Sequence, residues 1–470
     1  MMHARHSRLW GLTLAAALLL GCQASPLPPT GTPFGVAVTD GAAPSAPLPG
    51  SLTGNMTIKA GSFVPNQLIV RLEDGIDPVE AFQGYRVLRT FRFSHQYACL
   101  EVPAGMSLEQ AHEALLASGK VTQVALNWIR KPLAAYTAPT TDAYHDTQWA
   151  LRESGTTAYW KTGATLDASK VIVAVLDTGL DVGHPEFADR VVAARNFCSE
   201  ENPAAPVPVS EDVTDLVGHG THVAGIIGAA GNNGQGMAGL AWDVQIMPVK
   251  VLGEGGSSDA AVLAGMDFAM NGYLEANGGP YAGEARTRVI NLSLGMTYHG
   301  TLPAYEDAFA RAREKGIMVV VAAGNDSGPV ANPANQEHIL SVSSTSAYQI
   351  GNQTWEWLSG FSNRGDRIDL AAPGGQIMST LPRDGSRMGA LYGLASGTSM
   401  ASPFVAGAAA LVIAKHDPDH QKGNATFYDQ VKQHLMATAD DLGAPGKDPL
   451  YGVGRVNVFK ALSAETLLAL

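Results

Sequence analysis

Over Gln67–Leu72 apolar and polar residues alternate, with Leu68, Val70 and Leu72 on one face, and Val87–Phe93 and Tyr97–Val102 read as further strands. Period two is the pattern of a strand laid on a core. Ser107–Ser118 has helical spacing behind a serine suited to N-capping, and Val121–Ile129 predicts a last strand. These elements make a small α+β unit. Beyond it the pattern changes: Val171–Leu176 and Ile317–Ala323 are unbroken apolar runs. Such runs predict strands buried on both faces of a parallel sheet. Stretches of small apolar residues, such as Phe404–Val412, lie between and after them and read as covering helices. The predicted class is α/β, a mainly parallel sheet with helices on both faces, preceded by the small α+β domain. At the N-terminus Leu9–Leu20 follows Arg5, His6 and Arg8. That run is too short to span a membrane and reads as a secretory signal.

The chemistry gathers at the ends of these elements. Asp177 closes one apolar run and Asn325 follows another, so both stand at carboxyl ends of strands, where open α/β sheets hold their sites. Each residue type also serves as an ordinary turn former. His219 lies between glycines at the start of a small-residue helix, Gly218–Gly228. With His222 it forms an i, i+3 pair, but no HExxH glutamate or Cys/His cluster accompanies it, so a hydrogen-bonded structural role suits His222 better than a zinc ligand. Ser399 opens a buried helix, where unpaired N–H groups and the helix dipole favour an oxyanion; the same sequence is common helix-capping chemistry. Together the residues explain one another. A serine needs a base, the base an orienting carboxylate, and the tetrahedral intermediate needs donors from Asn325 and the Ser399 N–H.

In LDTGLD around Asp177, GHGTHVAG around His219, NLSLG at Asn291–Gly295, AAGN ending at Asn325 and GTSMASP around Ser399, the chain resembles the subtilase (subtilisin-like serine protease) family, from about Gln148 to its C-terminus. The order Asp, His, Ser agrees. The resemblance implies a serine endopeptidase that cuts proteins through an acyl-enzyme, with Asp177, His219, Ser399 and Asn325 as its machinery. It implies substrate strands at Gly256, Ser257 and Ser258 on one side and Ser293, Leu294 and Gly295 on the other, holding an extended peptide by main-chain hydrogen bonds. The first pocket would lie between Leu294–Gly295 and Ala323–Gly324, with Ala331 at its floor, and would take an apolar side chain. Asp215 matches an acidic position near the cleft. Structural calcium is implied at Glu186, Asn233 and Asp142.

The resemblance also orders the rest of the chain. Residues 1–22 read as a signal peptide whose Leu19–Cys22 resembles a lipoprotein box, so that lipid on Cys22 is the one membrane contact expected. Residues 23–60, rich in Pro, Gly, Ala, Ser and Thr, read as a disordered linker. Residues 61–133 resemble an inhibitory propeptide, 134–145 a linker with the processing site, and 146–470 the peptidase domain. Lys131–Thr141 reads as exposed chain, and Glu200–Glu211 and Gln349–Leu358 as surface insertions, the latter with Trp355 and Trp357. Only three cysteines occur, at positions 22, 99 and 198, so the peptidase region has no internal disulfide. A net charge of −12 argues against nucleic-acid binding. A secreted or cell-envelope monomer, acting on proteins and held by its own propeptide, is the expected whole. Two rivals remain: an inactive surface-displayed binding protein on the same scaffold, and an α/β-hydrolase esterase, which lacks its G-x-S-x-G elbow here.

Overall fold

The computed structural model describes residues 63–468, except 74, 78–80, 94, 133–134, 137–143, 165, 201–208, 272–286, 297–299, 301, 351–352, 384–389 and 420–421. The signal run, Cys22, the linker 23–60 and Asp142 therefore lie outside the described residues.

Among the described residues, four strands and a helix make the N-terminal layer: β1 (Phe63–Leu72), β2 (Arg86–Arg92), β3 (Gln96–Glu101), α1 (Leu108–Ala117) and β4 (Val121–Pro132). They pair antiparallel in the order β4-β1-β3-β2. Helix α1 starts at a complete capping box, with the Ser107 hydroxyl on Gln110 N–H and the Gln110 side chain on Ser107 N–H. The alternation in β1 sorts its side chains. Leu68, Val70 and Leu72 join Leu100, Ala111 and Leu115 in a core beneath α1. Ile69, with Phe91, Tyr97 and Cys99, faces the other way and packs into the core of the larger domain. This second buried face is what the alternating pattern alone does not announce.

The larger domain is built on β6 (Ile172–Asp177), β7 (Arg195–Asn196), β8 (Gln245–Lys250), β10 (Thr287–Leu292), β12 (Met318–Ala322), β13 (Leu340–Ile350), β14 (Gln353–Leu358) and β15 (Leu370–Pro373). Its order is β14-β13-β12-β10-β6-β8-β7, with β15 also beside β13. All these pairings are parallel except the β13–β14 hairpin. The chain builds outward from β6 in both directions, so the strand order reverses beside it, the place where such sheets hold ligands. Val173, Val175, Val289 and Val320 lie on one face, against helices α2 (His219–Gly228) and α5 (Thr398–His416). Ala174, Leu176, Ile290 and Val321 lie on the other, against α3 (Asp259–Asn271) and α4 (Pro303–Glu314). Each fully buried valine contributes roughly 1.5–3 kcal/mol of apolar burial, and both faces need it, which is why Val171–Leu176 and Ile317–Ala323 have no polar positions. Helix α5 is long and apolar enough to cross a membrane, yet 94% of that stretch is buried inside the protein, so it is a core helix.

The insertion at 349–358 is the tip and return strand of the β13–β14 hairpin, and Tyr348, Trp355 and Trp357 are exposed on it.

Candidate active site

Asp177 is the last residue of β6 and has no exposed surface. Its Oδ1 accepts from the Thr178 N–H at 2.7 Å and meets His219 Nδ1 at 2.6 Å. Local sequence makes this contact possible. A Cβ on Gly220 would stand 2.2 Å from the Gly179 carbonyl, so only glycine after the histidine lets α2 start this close to the end of β6. The turn before α2 is organised by Asp215, which accepts from Thr178 Oγ1, Val217 N–H, Gly218 N–H, and the Thr221 N–H and hydroxyl at 2.7–3.1 Å. Asp215 is buried and saturated with donors. It shapes the turn that leads into α2.

His222 is held elsewhere, with Nε2 against the Ile377 and Gly393 carbonyls at 3.1 and 3.2 Å. Burial pushes its pKa down to about 3, so it stays a neutral structural residue. Among the described residues no group of three His, Cys, Asp or Glu side chains could hold a metal ion.

Ser399 is the second residue of α5 and is fully buried. Pro403 sits four residues on and cannot donate to the Ser399 carbonyl. Ser293 Oγ donates there instead, at 2.9 Å, and is itself tied to Asn291 Nδ2 and Ser402 Oγ at 2.9 Å. The substituted donor fastens the serine to the end of β10. The Ser399 hydroxyl donates to the Ser293 carbonyl at 3.2 Å. Asn325, just beyond β12, accepts through Oδ1 from the Thr398 N–H and hydroxyl at 2.9 and 2.8 Å. Its carboxamide is held by the oxygen, which makes the nitrogen the donor end beside the Ser399 turn. Asp177, Ser293 and Asn325 thus end or follow three neighbouring parallel strands, and α2 and α5 bring His219 and Ser399 to the same edge. Thr178, Thr398 and Ser402 are polar contributors that sequence reading passed over. Their signal was only their position beside a motif residue.

The two strands expected to hold a peptide are present as β9 (Ser257–Ser258) and β11 (Leu294–Gly295). Between them runs the chain's own β4. Ile129 and Arg130 pair antiparallel with Ser258 and Ser257, and Lys131 and Pro132 with Gly295 and Leu294. Three residues after Pro132, Ala135 and Tyr136 in β5 (Ala135–Tyr136) pair antiparallel with Ser396 and Ala395 in β16 (Tyr392–Ser396), which leads directly into Ser399. The expectation of an exposed linker from Lys131 onward is corrected at Lys131–Pro132 and Ala135–Tyr136, which are paired strand. Gly256 precedes β9 and is hydrogen-bonded to Gly253. Ala323 accepts from the Ala331 N–H at 2.9 Å, and a Cβ on Gly324 would lie 3.0 Å from the Ala331 Cβ, so Ala331 does stand at this small-walled corner.

Glu186 and Asn233 also come together. The Glu186 carboxylate, with no exposed surface, accepts from Tyr392 O–H at 2.8 Å and Asn233 Nδ2 at 2.9 Å. These are neutral donors, and nearby Arg190 directs its guanidinium to backbone carbonyls. Burial raises the Glu186 pKa above its ordinary value. A buried anion short of counter-charge, an amide and a glycine-rich loop are an oxygen-donor set that suits a hard cation. The Asn233 amide turns its oxygen to the Gln235 N–H at 2.9 Å, and a flip of the amide would present that oxygen to Glu186's side. Cys99 and Cys198 are buried with thiols pushed up to about 12, which leaves them no nucleophilic role.

Residues 168–454 match the model of the subtilase family. A thermophilic serine proteinase of Bacillus sp. (strain AK1) is 30% identical over 416 residues, 87% of this chain and 90% of that protein. Subtilisin Savinase of Lederbergia lenta is 36% identical over 293 residues, 62% of this chain and 90% of that protein. Among solved structures, fervidolysin from Fervidobacterium pennivorans, a keratinolytic enzyme related to subtilisin, superposes with a TM-score of 0.68 at 25% identity, over 87% of this chain and 62% of that longer one.

Proposed function

The chain belongs to the subtilase family and is a serine endopeptidase, and from that premise we propose that Asp177, His219 and Ser399 are its catalytic triad, in a secreted precursor whose N-terminal layer is a self-cleaved propeptide. The observation that carries the triad is the buried Asp177–His219 contact of 2.6 Å at the start of α2, which shares a core with α5, the helix that Ser399 opens.

Asp177 fixes the His219 tautomer that carries its proton on Nδ1, which leaves Nε2 as the base. For attack the Ser399 hydroxyl leaves the Ser293 carbonyl for the imidazole, a rotation of its own side chain; resting-state geometry of this kind is often looser than the reacting one. His219 takes the hydroxyl proton as Ser399 Oγ bonds to the peptide carbon, then hands it to the leaving amine. Water repeats the sequence to release the acid. The developing oxyanion lies between Asn325 Nδ2 and the Ser399 N–H, at the positive end of α5. Asn325→Leu is expected to lower kcat by about 10²–10³-fold with KM little changed, a range measured on subtilisin itself. An unchanged kcat removes Asn325 from the machinery.

The antiparallel pairing of β4 with β9 and β11 supports the propeptide reading, because it is the bonding an extended substrate would make. So does the full burial of His219 and Ser399 in the whole chain. The paired segments end at Pro132 and resume at Ala135, and the bond proposed for cleavage is the one between Leu133 and Ala134 in the sequence. A leucine before the cut agrees with an apolar first pocket. Export suits the apolar Leu9–Leu20 run, and relatives include extracellular and cell wall-associated proteases. Lipid on Cys22 and a monomeric state stay expectations of the sequence.

Calcium would be held by Glu186, Asn233 and carbonyls of their loop, with Asp142 as a further ligand, and would supply the counter-charge that the buried carboxylate lacks. Chelation is expected to lower the Tm by roughly 5 °C, with Glu186→Gln insensitive to the chelator. A Tm that does not move rules the site out.

A fluorophosphonate tests the whole assignment: it should add once per active molecule, on the Ser399 peptide, and stop casein hydrolysis. Label elsewhere, or none with casein intact, would favour the binding-protein alternative.

A further inference from the structure

The mechanism above gives no task to the buried Lys250. Lys250 is the last residue of β8 and is 1% exposed. It stands in register with Asp177 on the neighbouring strand. Its ammonium has three acceptors for its three protons: the Thr178 carbonyl, the Thr214 carbonyl at 2.7 Å and the Glu200 carboxylate at 2.7 Å. Thr178 follows Asp177, and Thr214 precedes Asp215. The ammonium therefore ties the carboxyl end of β6 to the turn that delivers His219. Thr178 completes the tie, donating from Oγ1 to Asp215 and accepting from the Gly220 N–H, both at 2.8 Å.

Glu200 carries the connection outward. Its carbonyl accepts from the Gly255 N–H at 2.8 Å, and its carboxylate from the Glu254 N–H at 3.4 Å, in the loop that leads into β9. A Cβ on Gly253 would lie 2.3 Å from the Ser199 carbonyl, so this loop is packed directly on the Glu200 segment.

Resting on the triad assignment, we propose that Lys250 is a positioning residue for the Asp177–His219 pair, with Glu200 as its counter-ion and its link to the substrate strand. A buried lysine is costly unless it is fully paired. Here both carbonyls and the carboxylate lie within reach of the one ammonium.

The test is kcat and KM for a peptide substrate, using the full chain after maturation and its Lys250→Met, Lys250→Arg and Glu200→Gln variants. Lys250→Met should lose about 10²-fold in kcat, the scale of a small misplacement of reacting groups, with KM within about twofold. Lys250→Arg, which keeps the cation, should recover most of that loss, and Glu200→Gln should raise KM through the loop before β9. Glu200 is partly exposed, so this variant and Lys250→Arg decide the matter if Lys250→Met does not fold. A kcat of Lys250→Met equal to that of the wild type, or an unchanged KM in Glu200→Gln, overturns the proposal and leaves the triad standing. A wild type that a fluorophosphonate labels elsewhere than Ser399 overturns both.

Discussion

Ser399→Ala lowers peptide turnover by about 10⁶-fold, the loss measured for the nucleophile of subtilisin. The effect is this large because no neighbour can substitute. The Thr398 hydroxyl is bonded to Asn325 Oδ1 at 2.8 Å, and Ser402, the next hydroxyl along the helix, to Ser293 Oγ at 2.9 Å. Cys198 is a buried thiol held protonated. What survives is binding and the oxyanion donors, worth about 10³–10⁴ over water. The fold should not suffer. Ser399 Oγ makes one hydrogen bond, to the Ser293 carbonyl at 3.2 Å, whereas the bond that secures the turn runs from Ser293 Oγ to the Ser399 carbonyl and is kept. An unchanged Tm with lost turnover, read together on one sample, is therefore the expected pair of results. A variant that still hydrolyses casein places the nucleophile elsewhere.

Asp177→Ala lowers kcat by about 10⁴-fold, again on the scale measured in subtilisin. Its consequences reach beyond the imidazole. Asp177 Oδ1 serves both the His219 ring and the Thr178 N–H, so removing the carboxylate frees the tautomer and leaves a buried N–H unsatisfied. An unsatisfied buried donor costs about 1–3 kcal/mol, so this variant, unlike Ser399→Ala, should also melt lower. Loss of kcat without any change in stability would mean the Thr178 contact is made good by another acceptor. Loss of stability with full kcat would remove Asp177 from the triad.

The parts of the site legible in the sequence are those whose causes are local. A strand that must be apolar throughout and then stop leaves its mark in Val171–Asp177 and Met318–Asn325. A histidine hemmed in by glycines marks the start of α2, and small residues mark α5. What stayed hidden depends on partners distant in the chain. Val121–Ile129 reads as a strand that ends, but its extension to Pro132 is made by pairing with β9 and β11, more than a hundred residues away. Asp215 is read only as an acidic position near a cleft, and nothing in its own segment reveals its bonds to Thr178 and Thr221. Lys250 ends an apolar strand, and the Thr178 and Thr214 carbonyls that hold it buried lie in distant segments. Glu186 meets Tyr392 across 206 positions, a contact no local pattern encodes.

The central claim is that one chain carries both a subtilase triad and the segment that occupies its cleft. Intact mass and N-terminal sequencing over time, on the purified full chain and its Ser399→Ala counterpart, test it most directly. The wild type should release a fragment beginning at Ala134 while the variant stays whole. Cleavage of both at the same bond, or of neither with casein also intact, would contradict it.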